Sequence, residues 1–126
     1  MNDVDRKTKN LIITHKGMEI ALHDYRNIDE DDFVPAIEAN VQNSIKMGNP
    51  NQLLLLDITN VYISTAVLDT FKKASVDIKP YMRKLAVIGV KGIQKVFLKF
   101  ILTFSKSNNI KSFNTKEDAL DWLILP

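Results

Sequence analysis

Four consecutive leucines, Leu53 to Leu56, stand between Gln52 and Asp57. Side chains of an extended chain alternate between two faces, so a run that is apolar at every position needs cover on both. Strands covered twice are characteristic of parallel sheets, whose crossover connections lay helices over the sheet. The run therefore predicts a central strand over 52–57 in an α/β architecture. A second buried-type run, Lys84 to Val90, predicts a neighbouring interior strand.

The remaining elements follow from turn chemistry and periodicity. Leu11-Ile-Ile-Thr-His15 and Met18-Glu-Ile-Ala-Leu-His23 flank Lys16-Gly17, where glycine supplies the positive φ of a hairpin turn. Pairing His15 with Met18 sets Ile13 opposite Ile20 and Leu11 opposite Leu22, all on the face of His15, and sends His23 to the other face. Asp24 to Asn27 read as a connection. The acidic run Asp29-Glu-Asp-Asp32 suits the positive end of a helix whose apolar stripe is Phe33, Ile37, Val41 and Ile45. That helix should stop near Met47-Gly48-Asn49-Pro50, with Pro35 confined to its first turn. Val67, Leu68, Phe71, Ala74, Ser75 and Ile78 recur at helical spacing up to Pro80. Gly92 to Lys106 reads as a further helix and Ile110 to Phe113 as a short strand. Thr115 with Asp118 opens a last helix that buries Ala119, Trp122 and Leu123. The order β-β-α-β-α-β-α-β-α implies right-handed crossovers and a mostly parallel mixed sheet of five strands, with an N-terminal hairpin and four helices.

Composition narrows the functions open to such a fold. At 126 residues, 45% hydrophobic and 25% charged, the chain has the size and profile of one soluble domain. Residues 1–10 are polar and mixed in charge and are expected to form a flexible leader to a single domain over 11–126. A net charge of +2 does not point to nucleic acid. The absence of cysteine excludes disulfides, thiolate metal sites and cysteine nucleophiles, and fits a cytoplasmic protein. The two histidines fall on opposite faces of the hairpin, no third metal ligand has a suitable spacing, and no Gly-x-Ser-x-Gly elbow is present. The expectation is a protein without enzymatic activity, metal or cofactor, and with no membrane span.

Two places can carry function. Asp57 ends the central strand, on the edge where open α/β sheets bind ligands, and Asn60, Ser64 and Thr65 follow between it and the next helix. They form a possible regulatory or partner site, although capping explains the hydroxyls, and an Asp–backbone bond in the loop explains the acid. The second place is the Gly92 to Lys106 helix. Lys91, Lys95, Lys99 and Lys106 form a ridge opposite Ile93, Val96, Phe97, Phe100 and Phe104, and Leu98 and Leu102 flank the ridge. So much apolar surface calls for a homodimer or protein partner, a small apolar ligand held by Phe97, Phe100, Ile101 and Phe104, or an anionic membrane surface met through the lysines.

Leu54-Leu-Leu-Asp57-Ile-Thr-Asn60, Lys84-Leu-Ala-Val-Ile-Gly-Val-Lys-Gly92 and Phe113-Asn-Thr-Lys-Glu-Asp-Ala-Leu-Asp-Trp122-Leu123, in this order of elements, resemble the SpoIIAA-like branch of the STAS (anti-sigma factor antagonist) superfamily. The resemblance spans Leu11 to Leu125 and implies a STAS-type α/β sandwich. It also implies a non-enzymatic interaction or regulatory role through protein–protein binding. Regulatory STAS proteins carry an Asp-Ser-Ser-Gly type motif whose serine is phosphorylated; here the equivalent stretch is Ile63-Ser64-Thr65-Ala66, without the preceding acid or the following glycine. The fold is similar to CRAL-TRIO lipid-binding domains, which implies binding or carriage of a lipid or other small apolar ligand as the alternative.

Overall fold

The computed structural model describes residues 10–92, 99 and 109–126. Its strands form one sheet in chain order: β1 (Asn10–His15), β2 (Met18–Asp24), β3 (Gln52–Asp57), β4 (Met82–Ile88) and β5 (Ile110–Phe113). β1 and β2 pair antiparallel, and each later neighbour pairs parallel. The two apolar runs, in β3 and β4, are adjacent interior strands as expected.

The hairpin register is the anticipated one, with His15 opposite Met18, Ile13 opposite Ile20 and Leu11 opposite Leu22. Both turn residues have positive φ, 49° at Lys16 and 84° at Gly17, which matches the twist of a two-residue hairpin.

The leucine run divides as a doubly covered strand must. Leu54 and Leu56 pack with Phe33, Ile37, Val67 and Phe71 beneath helices α1 (Glu30–Met47) and α2 (Thr65–Asp77). Leu53 and Leu55 face the other way, onto Ala119 and Leu123 of α3 (Lys116–Leu123), together with Ile20, Leu22, Ala86 and Ile88. Lys84 anchors that last helix, donating from Nζ to the carbonyls of Trp122 (2.8 Å) and Leu125 (2.9 Å) with its cation over the indole ring. A cation there complements the negative end of the helix.

Two placements depart from the expectation. Pro35 sits in the second turn of α1 rather than the first. The ring is exposed and the missing N–H strands only the carbonyl of exposed Asp31, which water can serve. α2 ends before Pro80 as expected, and Lys79–Tyr81 form a short 3-10 turn that delivers the chain directly into β4. β4 consequently runs from Met82 to Ile88, two residues earlier at each end, because Gly89 takes a φ of +83° and leaves extended geometry. Three α-helices are present among the described residues. Of the expected fourth, Gly92 to Lys106, only Gly92 and Lys99 are described, both exposed.

Candidate functional site

β2 and β3 leave the sheet in step. Asp24 and Asp57 are register partners, and each begins an Asp-x-x-Asn segment, Asp24-Tyr-Arg-Asn27 and Asp57-Ile-Thr-Asn60. Both asparagines adopt left-handed geometry, φ 57° at Asn27 and 56° at Asn60, a conformation that Asn tolerates better than most residues. Backbone pairing continues past the strands: Tyr25 N–H donates to Asp57 O (2.9 Å), Asn27 N–H to Thr59 O (3.2 Å) and Ile58 N–H to Ile88 O (3.0 Å). Asn60 Nδ2 donates to Asn27 Oδ1 at 2.6 Å and joins the two turns at their tips.

Two carboxylates at neighbouring strand ends would repel, and Arg26 resolves the conflict. Its Nε and Nη2 donate to Asp24 Oδ1 (2.8 Å) and Oδ2 (2.7 Å), and Nε lies 3.7 Å from Asp57 Oδ2. Hydrogen bonding to Asp24, then the charges of Asp24 and Asp57, hold the guanidinium well above its ordinary value. The carboxylates are mostly shielded while the Arg26 side chain keeps 57% of its surface exposed. Asp57 also closes its own turn, accepting from Thr59 N–H (3.0 Å) and Thr59 Oγ1 (2.6 Å).

Ser64 and Thr65 open α2 just beyond Asn60. Ser64 is the N-cap, its Oγ accepting from Val67 N–H at 3.1 Å, while Thr65 is the first helical residue and is exposed. Ser64→Ala should therefore cost about 1 kcal/mol in urea unfolding, and Ser64→Asp, itself a good cap, only a few tenths. Equal losses for both variants would show that the cap bond contributes nothing.

The structure thus joins Asp57 and Asn60 to Asp24, Arg26 and Asn27, which sequence reading treated as a plain connection. The signal was present: the same Asp-x-x-Asn spelling ends two strands. The other expected surface, Lys95, Phe97, Leu98, Phe100, Ile101, Leu102 and Phe104, lies outside the described residues, and Lys99 is exposed.

The histidines occupy opposite faces, yet neither is simply solvated. His15 Nε2 is 2.8 Å from Asp121 Oδ1 on α3, and Lys16 lies 3.4 Å from the same oxygen. Those contacts, His15 foremost, hold the Asp121 carboxyl below its usual range. His23 is 3% exposed beneath α1 and α2, and burial lowers it from 6.5 to about 4, so it is neutral at pH 7. Its ring meets Tyr25 edge-on at 6.2 Å. Among the described residues no three His, Cys, Asp or Glu side chains group to hold a metal. No described helix is long and apolar enough to cross a membrane.

A search of curated proteins and of solved structures returns no match. A family model described as SpoIIAA-like matches residues 19–124, from the second strand of the hairpin through the end of α3. The match takes in both Asp-x-x-Asn turns, the α2 cap and all but one strand of the sheet, and on it the chain belongs to the SpoIIAA-like family.

Proposed function

We propose that this protein is a non-enzymatic interaction or regulatory module of the STAS kind, which binds a protein partner through the carboxyl rim of its sheet. The contact surface is Asp57, Asn60, Ser64 and Thr65 together with Arg26 and Asn27. The observation that carries this reading is the exposed Arg26 guanidinium, held in one orientation by Asp24 and Asp57. An arginine whose position is set before binding loses little side-chain freedom on docking, and arginine is prominent among residues that dominate protein interfaces.

Tyr62 stands beside the rim with 65% of its surface exposed and offers a place for a photocrosslinker. With p-benzoylphenylalanine at position 62 in the native host, one defined protein adduct is expected. The same reagent at exposed Val76 should give none. Arg26→Ala should weaken the partner's affinity at least tenfold, about 1.4 kcal/mol, with the fold intact. A missing adduct, or one indifferent to Arg26→Ala, defeats the reading. A second copy of this chain is one candidate partner, and native mass spectrometry reads it directly. The alternative, binding or carriage of a lipid or other small apolar ligand, draws support from a different place, a cavity beneath α1 and α2.

A further inference from the structure

Between the sheet and helices α1 and α2 lies a cavity of about 60 Å³. It sits on the face covered by α1 and α2, with Tyr25 of the Asp24–Asn27 turn in its wall, and its walls are mostly carbon, Leu54 and Phe71 among them. Among the described residues four polar side chains reach it: His23, Tyr25, Asn40 and Ser75. Asn40 Nδ2 donates to the Tyr25 oxygen at 2.8 Å, and burial keeps that phenol protonated. His23 Nε2 is different. It is fully buried and has no hydrogen-bond partner among the described residues.

A buried polar atom with no partner costs roughly 1–3 kcal/mol, so it calls for a complement. The room is several times the ~10–15 Å³ that one water requires, and beyond these few polar side chains the described walls are apolar and offer further waters no partner. A molecule with one polar group and an apolar body satisfies both features at once. The polar group is constrained further by charge. Among the described residues no Lys, Arg, Asp or Glu lines the cavity, so a carboxylate or ammonium finds no countercharge among them. A hydroxyl both donates and accepts, and complements the neutral imidazole in either tautomer.

We propose that this cavity binds the hydroxyl end of a small uncharged alcohol, with His23 Nε2 as its hydrogen-bond anchor and the apolar body against Leu54 and Phe71. The proposal does not rest on a protein docking at the rim, and its test reads the cavity alone.

The test is an NMR titration of the full chain, with the His23 imidazole nitrogens and the methyls around the cavity as reporters. The probe is 1-butanol; butyrate and n-butylammonium are its charged counterparts, and n-pentane is its analogue without the hydroxyl. Saturable binding of 1-butanol in roughly the millimolar range is expected, with a shift at His23 Nε2 and no saturation by either ion. n-Pentane should bind at least tenfold more weakly, and His23→Phe should weaken 1-butanol by a similar factor. Ala74 lines the cavity, so Ala74→Leu should abolish binding while retaining the histidine. The comparison of 1-butanol with n-pentane needs no variant and decides the matter even if a substitution unfolds the protein. Absence of saturation, equal affinity for the two probes, or a water that stays on His23 Nε2 at saturating alcohol overturns the proposal.

Discussion

Gly89→Ala is expected to destabilise the protein by about 3 kcal/mol, combining left-handed strain with overpacking. Gly89 follows β4 with a φ of +83°, a conformation that costs a residue with a Cβ about 1–2 kcal/mol. Space is the larger problem. A Cβ there would stand 2.6 Å from Thr59 N and 2.8 Å from Thr59 Cα, with Thr59 Oγ1 nearer still. Two of those atoms are backbone and cannot rotate away. Thr59 is also held by Asp57 through its N–H and its hydroxyl, so displacing it would pull on the rim itself. Gly48 is the control, since its φ is +70° and nothing lies within 4 Å of an added Cβ. Gly48→Ala should therefore cost only about 1 kcal/mol. Urea unfolding of both variants reads the difference, and the larger loss should appear as a Tm about 10 °C lower. If the two alanines cost the same, the close approach of β4 to the Thr59 turn is not a constraint. Arg26-dependent crosslinking from position 62 should weaken in Gly89→Ala as well, because the displaced turn carries Asp57's partners.

Acid should destabilise this protein through His23. The unfolded chain's histidine takes a proton near pH 6.5, whereas burial lowers the folded value to about 4. Between those values the unfolded state binds more protons than the folded state, so stability rises with pH across the window and falls as pH drops from 6.5 towards 4. Above the window both states are neutral and the group is silent. Below it both are charged and the loss is complete, at about 3 kcal/mol. His23→Phe removes the titration and leaves every carboxylate in place. The stability difference between wild type and variant, measured by urea unfolding from pH 7 to pH 4, should therefore shift by that amount in the variant's favour. A flat difference would mean that His23 protonates without cost and is not buried as described. A bound alcohol should extend the wild-type dependence to lower pH, because ligand on the neutral imidazole opposes its protonation.

Much of this architecture could be read from local pattern. Gln52-Leu-Leu-Leu-Leu-Asp57 admits few solutions, because a strand apolar at every position has to be covered twice, and the fold obliges with α1 and α2 on one face and α3 on the other. Lys16-Gly17 set the hairpin register to the residue, since a two-residue loop leaves no slack. Ser64 and Thr115 marked helix starts because a cap acts on the turn beside it, and both accept the expected backbone N–H. Pro35 and the end of β4 differ from the local expectation for one reason. Each depends on what surrounds the residue: an exposed helix face in one case, and the Thr59 turn against Gly89 in the other.

The rim shows the division most clearly. Asp57 and Asn60 are legible as strand-end chemistry, and the repeated Asp-x-x-Asn spelling hints at Asp24 and Asn27, but only strand pairing brings Asp24, Arg26 and Asn27, some thirty residues earlier, beside them. Likewise His23 was assigned to the correct face, and its burial without a partner was invisible. By itself the sequence determined the order of elements, the hairpin register, the two-sided core and the helix caps, because each rests on interactions between residues close in the chain. Only the tertiary structure decided that two Asp-x-x-Asn turns share one arginine, that Gly89 carries no Cβ for the sake of Thr59, and that a neutral imidazole faces a cavity. Those are contacts across strands and layers, and their energies depend on distance and burial rather than on spelling.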